Sequence, residues 1–193
     1  MKNLLKELRI SVIAIVSLIV LLCGLYPALV WIAAQSVFHN EANGSLILRG
    51  GKIVGSSLLA QGFTAAKYFH PRPSAAGTGY DATSSGGSNL GPLSKKLIDD
   101  IGLRVHDYRS ENNLATDVRV PADAVTSSGS GLDPHISIGN ALLQAPRVAG
   151  ARGLSEETVQ RKIAARTEGR VLGIFGEPRV SVLLLNLDLD GSK

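Results

Sequence analysis

The chain has a single cysteine among its 193 residues, Cys23, and it lies inside an apolar run. The remainder therefore has neither a disulfide nor a thiolate metal ligand, and its stability must come from an apolar core. Charge is missing over one long stretch. Ile10 to Phe38 is 29 consecutive residues without Lys, Arg, Asp or Glu. Only Ser11, Ser17, Gln35 and Ser36 are scattered around it, so the polar face of a soluble helix is missing too. A helix needs roughly 20 apolar residues to cross a bilayer, which this run exceeds. A cleaved signal peptide has an apolar core of about 7–15 residues and a small-x-small cleavage site. Trp31 and Ile32 before Ala33-Ala34-Gln35 make a poor one. The expected element is an uncleaved anchor.

Hydrolase signatures are absent as well. No segment matches G-x-S-x-G, and none of the four histidines (His39, His70, His106, His135) forms an H-x-x-x-H pair. The sequence pI is near 9.4, but residues 39–193 hold 17 Lys+Arg against 15 Asp+Glu. That balance describes an ordinary solvated surface and gives no case for nucleic acid.

The flanks of the run set its orientation. Lys2, Lys6 and Arg9 precede it against one Glu7, while no Lys or Arg follows until Arg49. The positive-inside rule then keeps residues 1–9 cytoplasmic, spans with 10–38, and places 39–193 outside. Tyr26 and Trp31 fit an interfacial belt at the outer end. Pro27 removes a backbone donor and predicts a kink. Gly24 and Ala28, four apart on one face, give the small-xxx-small spacing that admits a second helix. The span has no ionisable group apart from the Cys23 thiol, so it does not itself conduct ions.

The expected external fold is one mixed α+β domain of about 155 residues, enough for a single core. Residues 45–55 read as a β-hairpin around Gly50-Gly51. Residues 70–92, with three prolines and five glycines, read as a long loop anchored by Tyr80 and Leu90. Leu93, Leu97, Ile98, Ile101 and Val105 predict an amphipathic helix over 93–109, with Lys95, Lys96, Asp99 and Asp100 outward. Asn140–Ala151 reads as a helix broken or kinked by Pro146. A helix starting at Ser155 ends at Gly169. The terminal RVSVLLLNLDLD, 179–190, is apolar on both alternating faces and predicts a strand in the middle of a sheet.

Asp133-Pro134-His135 is the most conspicuous candidate site. Asp133 suits a turn cap, Pro134 suits the position after it, and Gly129 and Gly131 supply positive φ. Ser137 then caps the following helix. The motif reads as architecture and not as a catalytic or metal site. The competing reading is a membrane-anchored hydrolase using His135 or His70 with a serine. A phosphate cradle over Ser127-Ser128-Gly129-Ser130-Gly131 is a further reading, but the run lacks a P-loop lysine. Seven Arg and Lys against four Glu over 147–179 predict a solvated face or an acidic partner. Asn43-Gly44-Ser45 matches a glycosylation acceptor pattern that is common by chance.

Several stretches together resemble one family. They are GSSLLAQGF (55–63), YFHPRPSA with SGGSNLGP (68–75 and 85–92), VPADAVTSSGSGLDPHIS (120–137), QAPRVAGARGL (144–154) and GEPRVSVLLLNLDLD (176–190). In this order, behind an N-terminal span, they are similar to the C subunit of the Kdp potassium-transporting ATPase. Ala60 stands where that family usually has Gly, and Ile138 where a Pro often follows the Ile-Ser pair. The resemblance implies a non-catalytic subunit of an inner-membrane complex. Its implied partners are a potassium-channel-like subunit, a P-type ATPase subunit, a small single-span subunit and membrane lipid. It also implies a chaperone that raises the ATPase subunit's affinity for ATP through a ternary complex with nucleotide, whereas the residues themselves give no cofactor bound directly by this chain. The charge-derived topology puts 39–193 across the membrane from that ATP, so any effect on it must pass through the span.

Overall fold

The computed structural model describes residues 2–191. The chain forms two compact units, one reaching to Leu46 and the other beginning at Ile47.

The first unit is almost entirely one apolar rod. Helix α1 (Lys2–Ile19) passes through a single π-helical turn (Val20–Leu25) into α2 (Tyr26–Val37). Asn3–Val37 is a continuous 35-residue helix whose most apolar 18-residue stretch has a mean hydropathy of 2.6, and none of that stretch is buried inside the protein. At 1.5 Å per residue it is about 50 Å long, more than enough for a hydrocarbon core of about 30 Å. The wide turn has a local cause. Pro27 offers no N–H, and the Tyr26 N–H before it donates to the Leu21 carbonyl five residues back. The expected disturbance at Pro27 is therefore taken up by re-registering the ladder one residue wider. At Phe38 the backbone leaves helical geometry (φ −124°, ψ 45°), and a short α3 (His39–Ala42) follows. The Asn43 amide closes that end by donating to the His39 carbonyl at 2.6 Å and to Gln35 Oε1 at 3.1 Å.

The second unit begins with the expected hairpin. Strands β1 (Leu46–Arg49) and β2 (Lys52–Ser56) pair across Gly50 and Gly51. Both glycines have positive φ, 58° and 76°, as a tight two-residue turn of this hand requires. A long irregular segment then runs to Ser94. Its own polar atoms hold it. Ser74 Oγ donates to the Gly131 carbonyl (2.7 Å) and accepts from the Tyr80 N–H (2.8 Å), while Tyr80 Oη donates to the Arg72 carbonyl (2.9 Å).

Helix α4 (Lys95–Glu111) starts two residues later than expected because Ser94, not Leu93, provides the cap. Leu93 thus stands outside the helix and is 93% exposed. The outward pairs form as expected, Lys95 to Asp99 at 2.6 Å and Lys96 to Asp100 at 2.8 Å. A short α5 (Ala122–Val125) precedes β3 (His135–Ser137), which runs directly into α6 (Ile138–Arg152). Ser137 caps α6 by accepting from the Asn140 N–H, and Ile138 is its first residue. Contrary to expectation, α6 is unbroken at Pro146. The carbonyl deprived of a donor belongs to Leu142, which lies on the exposed side of the helix. Gly153 ends the helix at φ 67°.

Helix α7 (Glu156–Ala165) is capped by Ser155 as predicted, but Gly169 does not end it. Thr167 Oγ1 donates to the Ile163 carbonyl, and Thr167 then enters β4 (Thr167–Glu168). The terminal segment departs most from expectation. Only Arg179–Ser181 (β5) is extended, and Val182–Asp190 (α8) is a helix. An apolar run without Gly or Pro fits a buried helix as readily as a buried strand. The fully buried Val182, Leu185, Asn186 and Leu189 follow i, i+3, i+4, i+7, the helical period. Strand β5 is nonetheless central, in the antiparallel order β3-β5-β4, with Ile136 opposite Val180 and Thr167 opposite Val180 on its other side. The core lies between this small sheet and α6, α7 and α8, around Phe69, Ile136, Val148, Ile163, Val180 and Leu185. The domain is α+β, as expected.

Candidate functional site

Three side chains of the second unit, two of them fully buried, act on one piece of irregular chain. Asn186 on α8 accepts from the Phe69 N–H (2.8 Å) and donates to the Phe69 carbonyl (3.0 Å). Gln144 on α6 does the same for His70, at 2.7 Å and 3.1 Å. Arg147, one turn along, donates to the carbonyls of Ala66 (2.6 Å) and Tyr68 (3.0 Å). Asn140 extends the chain of bonds. It receives Gln144 Nε2 and Tyr108 Oη on its Oδ1 and donates to Asp123 Oδ2, each within 2.8–2.9 Å. Two amides thus replace a neighbouring strand, satisfying backbone that would otherwise be buried without partners. Burial, and next the Asp123 charge, push the Tyr108 phenol far above its ordinary range, so Tyr108 is a fixed donor.

The Asp133-Pro134-His135 turn is built as the sequence implies. Asp133 Oδ1 accepts from the His135 N–H at 3.0 Å, and Oδ2 accepts from Arg72 Nη1 at 3.0 Å. The Pro134 carbonyl accepts from the Val182 N–H at 3.0 Å, which ties the turn to the start of α8. Burial acts to raise the Asp133 pKa. Hydrogen bonds from the His135 side chain and N–H, and then Arg72, outweigh it and hold the carboxyl below its usual range. The stabilisation is present at neutral pH and is lost as pH falls through that depressed value. His135 lies between carboxylates, Nδ1 3.5 Å from Asp133 and Nε2 3.5 Å from Glu168. Gly131 has positive φ (68°), and a Cβ there would meet the Gly86 carbonyl at 2.6 Å. Gly129, expected to share that role, does not have positive φ.

The run 127–131 is docked on the 85–87 segment. Gly86 N–H and Ser85 Oγ both donate to the Ser130 carbonyl at 2.9 Å, and Gly131 N–H donates to the Ser128 carbonyl. A phosphate cradle needs several free amides converging on one point, whereas the Gly131 amide is already engaged. Ala60 is buried with its N–H on the Leu132 carbonyl (2.9 Å).

His70 borders a cleft of about 240 Å³ with Arg104, Tyr108, Glu111 and Gln144. Its Nδ1 is 3.0 Å from Glu111 and its Nε2 3.2 Å from the Ala65 carbonyl. Burial first, and then the Arg147 charge, lower its pKa against the opposing pull of Glu111. The unfolded chain therefore takes up a proton here more readily than the folded one. Stability falls as pH drops through about 6.5, the ordinary imidazole value, toward the folded value. Melting of residues 39–193 at pH 7.5 and pH 5.5 checks this, and His70→Gln should flatten the difference. Both imidazoles thus face carboxylates, and among the described residues no group of three or more His, Cys, Asp or Glu converges as a metal set.

Arg147 is turned inward onto backbone carbonyls, Arg161 is exposed on α7 and donates to Thr158 Oγ1 (3.1 Å), and the other cations of 147–179 are paired. Arg152 meets Asp190 (2.9 Å), Lys162 and Arg166 share Asp188 (3.3 Å each), Arg170 meets Glu177 (2.8 Å) and Arg179 meets Glu168 (3.0 Å). In the first unit, Gly24 has nothing within 4 Å of where a Cβ would stand, and Ala28 lies one turn further on. The sequence reading missed the amide clamp. Its signal was there in Asn186, a lone amide inside the run VLLLNL.

A continuous apolar rod followed by a small α+β unit with a polar-clamped loop is the setting for the family comparison. The family described as K+-transporting ATPase, c chain, matches residues 8–191. The chain belongs to the KdpC family. It is 57% identical over 165 residues to the potassium-transporting ATPase KdpC subunit of Mycobacterium tuberculosis, covering 86% of this chain and 87% of that one. The KdpC subunit of Koribacter versatilis is 48% identical over 188 residues, 97% of this chain and 96% of its own. That of Caulobacter vibrioides is 51% identical over 188 residues, 97% and 94%. The match to the KdpC family takes in both the apolar rod and the folded unit.

Proposed function

We propose that this chain is a non-catalytic, assembly-promoting subunit of an ATP-driven potassium transporter. Its anchor packs against the other membrane subunits through Gly24, Pro27 and Ala28, and residues 39–193 sit on the outer face over the channel-like subunit. The observation that carries the reading is the 35-residue apolar helix, unburied within the chain, in a member of the KdpC family. Without charge in the span, the helix serves to hold and not to conduct. The open surface beside Gly24 supports close approach of a second helix. The Asp133-Pro134-His135 turn serves shape by fixing β3 against α8. Its imidazole is held between carboxylates and has no part in chemistry.

An effect on ATP affinity, as the family resemblance implies, fits this topology as a change transmitted through the span, because Lys2, Lys6 and Arg9 hold the N-terminus on the cytoplasmic side. Co-purification in mild detergent tests the assignment. The expected result is a fixed ratio of this chain to a channel-like and a P-type ATPase subunit, and digestion of residues 39–193 by protease added to intact spheroplasts. Purification of this chain alone, or protection until the bilayer is broken once burial by partners is excluded, would overturn it.

A further inference from the structure

Between β4 and β5 the chain makes a small hairpin whose tip is apolar and faces outward. Val171 and Phe175 close it with paired backbone bonds, N–H to carbonyl at 2.9 Å and 3.0 Å. Leu172 is 84% exposed, Ile174 71% and Phe175 64%. Scattered exposed apolar residues need no explanation, but three large ones on one tight turn form a patch. None belongs to the core or its partly buried rim.

Two observations bear on what covers it. The neck is electrically closed: Arg170 grips Glu177 with bonds of 2.9 and 2.8 Å, and Arg179 meets Glu168 at 3.0 Å. Among the described residues, the cations at the neck are paired, so none is free to draw the tip to anionic headgroups, the usual companion of interfacial insertion. In addition, the carbonyls of Leu172, Gly173 and Ile174 accept no hydrogen bond from the described residues. Hydrocarbon cannot satisfy such groups, whereas a protein surface can supply donors beside an apolar hollow.

Resting on the proposed role as a transporter subunit, we infer that the 171–175 tip is a docking knob that seats in an uncharged, apolar depression on another subunit of the same transporter. The neutral neck makes this contact insensitive to ionic strength, unlike docking through the arginines. Large apolar anchors in a pocket carry most of the energy of such interfaces.

Site-specific photocrosslinking in the assembled, full-length complex tests it, with benzoylphenylalanine placed at Leu172, separately at Phe175, and at exposed Glu157 on α7 as a control. Adducts from both tip positions to one other transporter subunit, undiminished by raised salt and absent at Glu157, are expected. Adducts only to lipid, only to a second copy of this chain, or none at all would overturn the inference. If the chain is retained in the complex without the adduct, the knob alone fails. If the chain is missing from the complex, the proposed function fails and the knob with it.

Discussion

Asn186→Leu should destabilise the folded unit by about 4 kcal/mol, because it leaves a buried peptide without partners while keeping the same branched heavy-atom skeleton. Asn186 is fully buried, and it holds both the N–H and the carbonyl of Phe69. Each stranded group costs about 1–3 kcal/mol, and no water-filled space adjoins a residue at 0% exposure to relieve it. For a domain of this size the change corresponds to a fall of about 10 °C in melting temperature. Urea unfolding of residues 39–193 gives the number directly. Leu103→Ala, on the exposed side of α4, provides the contrast and should move stability by less than about 0.5 kcal/mol. A loss under about 1 kcal/mol for Asn186→Leu would show that the clamp is incidental and that packing alone places the 66–72 segment.

Deleting residues 2–38 has the largest expected effect on function. Under the proposed function the anchor holds the folded unit beside its partners, so docking is effectively intramolecular. Releasing it replaces a local concentration in the millimolar range with bulk dilution, and apparent affinity falls about 10²–10⁴-fold. Uptake at low external potassium should therefore be lost, although residues 47–193 form a compact unit with their own core and remain folded and soluble. Uptake and the circular dichroism of the released fragment are the paired measurements. Undiminished uptake would mean that the external surface binds tightly enough by itself, and the span would then be dispensable.

What could be read from the sequence was whatever depends on neighbours along the chain. Gly50-Gly51 specified a hairpin, Ser137 and Ser155 specified helix starts, and the charge-free run specified the long apolar helix. Asp133 closes its turn on a residue two positions away, so that too was visible. The failures arose where distant residues decide. In 179–190 the apolar pattern was compatible with strand or helix, and the choice fell to packing of α8 on α7 and β5. Gly169 lost its role because Thr167 found both a carbonyl on α7 and a pairing position beside β5. The amide clamp was hidden for the same reason, since Gln144 and Asn186 find their partners 74 and 117 positions away.

That separation has a consequence for biosynthesis. The strap at Phe69 is fastened by a residue 117 positions downstream, close to the carboxyl end. A nascent chain must wait, half-finished, until Asn186 has been synthesised before the core can close around Phe69. Products truncated before Asn186 would lack the fastener altogether, leaving the Phe69 peptide without its partners.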